Sequence, residues 1–155
     1  MTEPPGDRAP GPRDADPFDL VRFLREQRGT HEHAVRELRL GRKTGHWIWF
    51  EFPQVRGLGS SEMSRRFAIS GLAEARAYLD HPVLRARLTE CCDALLVHAD
   101  RRATEILGEP DATKVRSSMT LFLRAEPTER RFARVLDAFY GGRPDARTDE
   151  LLRLG

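Results

Sequence analysis

Lysine is scarce in this chain of 155 residues, which contains 24 arginines but only two lysines, Lys43 and Lys114. Basic residues exceed acidic ones by two, so the formal net charge is +2 with the histidines neutral. Such a weak imbalance does not create the strongly positive field that typical nucleic-acid-binding domains use. We therefore rank nucleic acid last among the partners of this protein.

Long apolar runs are also absent, since no stretch approaches the roughly 20 residues that a membrane-spanning helix needs. The first residues show no basic segment followed by an apolar one, as a secretion signal would. The composition is 39% hydrophobic and 32% charged, which is typical of soluble globular proteins. We expect a cytoplasmic protein that does not bind membranes.

Cysteine is limited to the adjacent residues Cys91 and Cys92. Neighbouring cysteines cannot link separate segments by a disulfide, and no second pair lies at zinc-ligand spacing. The five histidines are scattered, and only His31 and His33 lie close together. The sequence predicts buried thiols in a helix, no metal site and no cofactor.

The chain divides into a short tail and one domain. Residues 1–15 contain four of the ten prolines and few apolar side chains, so they predict a disordered tail. Residues 16–155 are numerous enough to bury one hydrophobic core without disulfides. Apolar residues recur at spacings of three and four, and no two segments alternate as a pair of strands would. The predicted fold is all-α, a single compact domain of about eight or nine short helices.

Capping residues place the ends of these helices. Asp16 and the proline after it are typical of a helix start, and Thr30 is typical of the cap of a second helix that ends near Gly41. Thr148 is predicted to cap the last helix. The sequence therefore predicts two helices before Gly41.

An aromatic segment spans residues 43–54, Lys-Thr-Gly-His-Trp-Ile-Trp-Phe-Glu-Phe-Pro-Gln, and contains both tryptophans of the chain. Pro53 favours a short helix or irregular segment here. Trp47 and Trp49 could stack on a flat ligand, because indole rings give a large contact area at low entropic cost. The alternative is that these rings, like Phe50 and Phe52, belong to the core.

Polar residues accompany these rings and suggest chemistry. His46 could donate a hydrogen bond to a phosphate or act as an acid, and Lys43 could hold a phosphate. Glu51 lies in an apolar run, where a carboxyl group could transfer protons or stabilise positive charge at a sugar carbon. Gln54 could bind an amide or a ring edge. The alternative is that His46 is a packing residue and Glu51 an ordinary solvated or arginine-paired residue.

A second polar cluster begins at Asp111 and continues through residues 114–122, Lys-Val-Arg-Ser-Ser-Met-Thr-Leu-Phe. Lys114, Ser117 and Ser118 fall within one helical turn, so their donors could converge on an anion. The alternative is a polar helix face in water. The motifs of P-loop enzymes, serine hydrolases and zinc proteases are absent.

The two segments together resemble a family of bacterial domains of unknown function, sometimes mislabelled calpastatin, along nearly the whole domain. This resemblance implies an all-helical fold. The family usually has an aliphatic residue where this chain has Glu51, and its pattern favours Asp111 as the shared carboxylate. Residues 81–88 also resemble, more distantly, a helix of the NADAR (YbiA-like) N-glycosidases, which act on ADP-ribose and related N-glycosides.

The resemblance implies one function and the composition allows another. The first is a ligand cleft that binds or hydrolyses an N-glycosidic nucleotide such as an ADP-ribose conjugate. Trp47 and Trp49 would stack on the base, basic and hydroxyl side chains would hold phosphates, and Glu51 or Asp111 would stabilise the transition state. The second is a non-catalytic module that binds a protein or ligand through tryptophan and arginine, the residue types that dominate interfaces.

Overall fold

The computed structural model describes residues 16–154, which contain nine helices joined by loops. They are α1 (Val21–Leu40), α2 (Ile48–Glu51), α3 (Glu62–Arg66), α4 (Leu72–Asp80), α5 (Pro82–Leu96), α6 (Ala103–Leu107), α7 (Asp111–Ala125), α8 (Arg130–Tyr140) and α9 (Ala146–Leu154). Within these residues the only β pairing is an isolated parallel bridge between Val55 and Ile69. The predicted all-α class and helix number are confirmed. The predicted disordered tail, residues 1–15, lies outside the described residues.

The first helix corrects the sequence prediction at both its start and its middle. The carboxylate of Asp16 accepts hydrogen bonds from the N–H groups of Leu20 (2.7 Å) and Val21 (2.8 Å), so it caps a helix that begins at Val21 rather than at Pro17. Thr30 starts no new helix, because its hydroxyl donates back to the carbonyl of Glu26 within α1. Buried residues on both sides of Thr30 form one continuous stripe, and their packing holds the helix together.

Residues close in sequence determine other helix ends in this protein. Gly41 ends α1 with a φ of 76°, a left-handed conformation that glycine adopts without strain. Ser61 caps α3 by accepting from the N–H of Ser64 at 3.1 Å. The predicted cap Thr148 is instead the third residue of α9, and the carboxylate of Asp145 accepts from both its N–H (3.0 Å) and its hydroxyl.

Helix α7 is the centre of the domain. Six consecutive residues, 117–122, are buried, so α7 is covered on nearly every side. It packs against α4 and α8 and also contacts α2, α6 and α9, while α5 packs against α1 and α8. No helix of the described residues is long and apolar enough to cross a membrane.

Aromatic rings connect the helices through the core. The ring of Tyr78 lies 5.1 Å from Phe23 on α1 and 5.2 Å from Phe122 on α7, measured between centroids. The buried side chain of Gln27 donates to the Tyr78 hydroxyl (3.0 Å) and to the carbonyl of Phe50 (2.6 Å). One amide thus fixes α1, α2 and α4 relative to one another, and it places the aromatic segment against α1.

Candidate functional site

The aromatic segment packs mainly inward. Phe50 and Phe52 belong to the core, as does Trp47, of which only 2% is exposed. The indole N–H of Trp47 donates to Oε1 of Glu37 at 3.0 Å, and its ring lies 6.3 Å from that of Phe52. Because its N–H is hydrogen-bonded and its ring is packed in the core, contacts within the protein account for the position of Trp47.

Glu37 organises the loop before the aromatic segment. Its Oε1 accepts three hydrogen bonds, from the N–H groups of Thr44 and Gly45 (2.8 Å each) and from Trp47. Burial alone would raise the pKa of Glu37, but the N–H donors of Gly45, Thr44 and Trp47 outweigh it and lower the pKa below its usual value. A single carboxylate of α1 therefore sets the path of the chain into α2.

The two segments singled out by sequence meet at an ion pair. Nζ of Lys43 lies 2.6 Å from Oδ2 of Asp111, and it lies 4.7 Å from the centre of the Trp47 ring. One turn further along α7, Nζ of Lys114 lies 5.1 Å from the centre of the half-buried Trp49 ring. Five of the predicted site residues therefore lie in one region, namely Lys43, Trp47, Trp49, Asp111 and Lys114. There, both ammonium groups contact protein groups.

The serines of the second cluster lie elsewhere on α7. Ser117 is buried, and its hydroxyl donates to the carbonyl of Thr113 (3.2 Å) and lies 3.1 Å from a carboxylate oxygen of Asp145. Ser118 is fully buried, and its hydroxyl has no hydrogen-bond partner among the described residues. Ser117 is therefore directed toward the start of α9, where Asp145 accepts hydrogen bonds, rather than toward Lys114.

The last two predicted ligand residues are at the edges of the segment. His46 is exposed in the loop before α2. Gln54 is half-buried, and its main-chain carbonyl accepts from the N–H of Ile69 at 2.8 Å in the parallel bridge. The ligand-binding roles of all these residues stay predictions. None of them lines the surface groove between α1 and α5.

Glu51, the last residue of α2, lies in a buried polar cluster. Its side chain is 1% exposed, and Oε1 lies 2.8 Å from Nδ1 of His31 on α1 and 3.6 Å from Sγ of Cys91 on α5. The other ring nitrogen of His31 lies 2.7 Å from Oε1 of Glu90. Oε2 of Glu51 has no partner among the described residues. His31 thus bridges a buried and a half-exposed carboxyl group.

The surroundings shift the protonation of this cluster. Burial lowers the pKa of His31, but hydrogen bonds and charge from Glu51 and Glu90 outweigh it and raise the pKa above its usual value. Burial, reinforced by the nearby Glu51, raises the pKa of the Cys91 thiol well above its usual value. The surroundings therefore favour the protonated form of the His31 imidazole and the protonated form of the Cys91 thiol.

This cluster opens to the surface through a groove between α1 and α5, which we call the α1–α5 groove. It has a volume of about 370 Å³ and is lined by His31, Glu32, Val35, Arg36, Arg39, Leu40 and Glu90. Nη2 of Arg39 lies 3.6 Å from Oε2 of Glu90. The groove combines a histidine, carboxylates and two arginines, and Glu51 lies behind its floor.

His31 and Glu90 were not among the site residues predicted from the sequence. His31 lies one helical turn after Gln27 and one before Val35, on the buried stripe of α1. A histidine on such a stripe needs a buried partner, and this was the one available signal. Nothing local pointed to Glu90, which is 59 residues away.

The fold and this site define a small all-α domain with a polar cluster buried between its helices. A family model described as "Protein of unknown function (DUF1810)" matches residues 17–152, and the chain belongs to that family. It is also similar to the crystal structure of a conserved hypothetical protein, Rv1873, of Mycobacterium tuberculosis, with 49% sequence identity and a TM-score of 0.88. That match covers 90% of this chain and 100% of the other. No curated protein matches.

Proposed function

We propose that this protein binds a small anionic molecule of the nucleotide or ADP-ribose class in the α1–α5 groove and hydrolyses its N-glycosidic bond. One observation carries the proposal: His31 is held between two carboxyl groups at the floor of a groove edged by two arginines. Titratable groups with shifted pKa values in a cleft are typical of functional sites.

The arginines supply recognition of the anion. Arg36 and Arg39 are three residues apart on α1, so their guanidinium groups share one face of the helix. Guanidinium groups bind phosphate oxygens with paired hydrogen bonds. Arg39 is 63% exposed and only loosely paired with Glu90, so it is free to turn toward a phosphate. A base would contact the aliphatic side chains of Val35 and Leu40.

Glu90 and His31 supply the chemistry. Glu90 accepts a proton from water, whose oxygen forms a bond to the sugar carbon while the bond from that carbon to the base nitrogen breaks. The released base takes a proton from the imidazolium of His31, and the proton on Glu90 returns to His31 across their 2.7 Å contact. Glu90 also stabilises positive charge at the sugar carbon.

The catalytic carboxylate proposed here is Glu90, which is neither of the two carboxylates predicted from the sequence. Glu51 lies behind His31 and acts by orienting it, and Asp111 pairs with Lys43 in another region. The tryptophans predicted to stack on the base do not line the groove. The proposed ligand class is the one predicted from the sequence. The proposed binding place is the α1–α5 groove.

Calorimetry with ADP-ribose, NAD and free nucleobases tests binding, and chromatography of the reaction mixture tests release of the base. Arg36→Ala and Arg39→Ala should weaken binding, whereas Arg28→Ala, an exposed position on the same helix outside the groove, should not. Glu90→Gln should retain binding and abolish release. Absence of binding at millimolar ligand contradicts the proposal. Binding without release in the wild type supports the alternative, a non-catalytic binding module.

A further inference from the structure

Three side chains from three different helices bring metal-binding atoms together in the core. Nδ1 of His31, a carboxyl oxygen of Glu51 and Sγ of Cys91 all lie within 4.8 Å of one another, and all three residues are buried. We propose that they form a site for a divalent transition-metal ion of the zinc class. The site lies on the Glu51 side of the imidazole, whereas the groove lies on the Glu90 side. It therefore goes beyond the proposed function and does not depend on it. Because an ion on Nδ1 replaces one proton of the imidazolium, the proposed hydrolysis belongs to the metal-free protein.

The donor set suits zinc. Imidazole nitrogen, thiolate sulfur and carboxylate oxygen are its usual protein ligands, at about 2.0–2.3 Å from the metal in tetrahedral geometry. Ligand atoms at such distances lie roughly 3.3–3.8 Å from one another. The 3.6 Å between Sγ of Cys91 and Oε1 of Glu51 already fits. The 2.8 Å between Nδ1 and Oε1 has to widen by roughly half an ångström, as an ion replaces the shared proton.

The second nitrogen of His31 is placed as in known metal sites. A histidine that binds a metal through one ring nitrogen almost always gives its other N–H to a carboxylate or carbonyl, which fixes the ring and makes it a better ligand. In this protein Nε2 of His31 lies 2.7 Å from Glu90, and Arg39 lies on the far side of that carboxylate. Glu90 is therefore already placed to accept a hydrogen bond from the second nitrogen of a metal-bound His31.

An unpartnered atom and the balance of charge also favour a cation. Oε2 of Glu51 is buried without a hydrogen-bond partner among the described residues, which costs free energy in an apolar surrounding. A divalent ion would satisfy this carboxylate. With the Glu51 carboxylate and the Cys91 thiolate, a doubly charged ion gives a neutral site. Binding must release the thiol proton of Cys91 and the proton between His31 and Glu51.

The adjacent cysteine provides a matched control. Cys92 is as fully buried as Cys91, but its sulfur lies 3.7 Å from Sδ of Met119, outside the cluster. Cys91→Ser and Cys92→Ser therefore make the same chemical change in equally buried positions of α5. Only the first removes a proposed ligand.

Metal-free protein, without nucleotide, is titrated with Co²⁺ and then with competing Zn²⁺, and the thiolate-to-cobalt absorption band is recorded. Wild type and Cys92→Ser should each bind one ion and show the band, and Cys91→Ser should lose it. Glu90→Gln should keep the band and weaken binding about 10–100-fold. Glu51→Gln, which leaves both cysteines in place, should also weaken binding, and it replaces Cys91→Ser as the test if circular dichroism shows that variant to be unfolded.

The site would be overturned by a lack of stoichiometric binding in the folded wild type, or by a band that survives in folded Cys91→Ser. Unchanged affinity in folded Glu51→Gln would also overturn it. None of these measurements includes a nucleotide. Failure of the metal site and failure of the proposed groove ligand are therefore separate results.

Discussion

Lys43 and Asp111 form an ion pair of 2.6 Å that joins the loop after α1 to the first turn of α7. The side chain of Lys43 is 5% exposed and that of Asp111 is 19% exposed, so water screens the pair little. Removal of either partner leaves the other charge buried, and this is the main reason that the pair matters for stability.

We predict that Asp111→Asn lowers the free energy of unfolding by about 3 kcal/mol, the lower end of the range for a broken buried pair. The double variant Lys43→Met, Asp111→Leu should recover part of this loss, because it leaves no unpaired charge. Urea unfolding of the wild type, Lys43→Met, Asp111→Leu and the double variant measures the coupling. Strictly additive losses would show that the two charges do not interact.

Glu37 gives a second prediction, since three N–H groups donate to one of its oxygens. Glu37→Ala should cost about 3 kcal/mol, the scale of bonds to a charged group. The pKa of Glu37 is lowered in the folded protein. Its contribution is therefore present above the unfolded pKa of about 4.3 and is lost as the pH falls through the folded value.

Tryptophan fluorescence during urea unfolding checks this prediction, because the indole of Trp47 contacts Glu37 directly. Glu32→Ala is the control, as Glu32 is an exposed residue of the same helix. Equal losses in the two variants would mean that the hydrogen bonds of Glu37 contribute nothing specific.

A feature of this fold could be predicted from the sequence when the residues that determine it are close together in the chain. The end of α1 at Gly41 and the short helix before Pro53 depend on neighbouring residues. The first agrees with the sequence prediction, and the second is one of the two forms, short helix or irregular segment, that the sequence favoured. The break predicted at Thr30 was wrong because packing of both halves of α1 against α5 and the rest of the core overrides a local capping preference.

The site was harder to predict because its residues are distant in sequence. His31 and Cys91 lie 20 and 40 residues from Glu51, so no motif with fixed spacing connects them. Sequence indicated that Glu51 occupies an unusual apolar environment. Only the packing of α1, α2 and α5 shows that a histidine and a thiol share this environment.

Gly29 in the first helix and Gly41 directly after it should respond oppositely to alanine. Gly29 lies in the middle of α1 with nothing within 4 Å of an added Cβ, so Gly29→Ala should stabilise the protein by about 0.5–1 kcal/mol. Gly41 has a φ of 76°, and an added Cβ there would lie 2.2 Å from Nη1 of Arg101. Gly41→Ala should therefore destabilise it by about 1–2 kcal/mol.

Thermal and urea unfolding of the two variants beside the wild type provides the measurement. The same methyl group is added once at a helical position and once at a left-handed position, so the difference between the variants reports the backbone conformation and the space around the added Cβ. A stabilised Gly41→Ala would show that the left-handed conformation at the end of α1 is not required.

The buried histidine predicts how stability depends on pH. Glu51 and Glu90 raise the pKa of His31 in the folded state. Its contribution to stability is fully present below the unfolded pKa of about 6.5 and is lost as the pH rises through the folded value. The free energy of unfolding of the metal-free protein should therefore decrease as the pH rises above about 6.5. Glu51→Gln should weaken this dependence, because it removes the larger source of the raised pKa.

Urea unfolding over a series of pH values tests this directly, with chelator present to keep the protein free of metal. His33→Gln is the matched control, since His33 is an exposed residue of the same helix and should leave the pH dependence unchanged, whereas His31→Gln should remove most of it. If His31→Gln keeps the wild-type dependence, another group is responsible for it and His31 does not have a raised pKa in the folded protein. A dependence that disappears in both His31→Gln and Glu51→Gln would assign it to this pair of side chains.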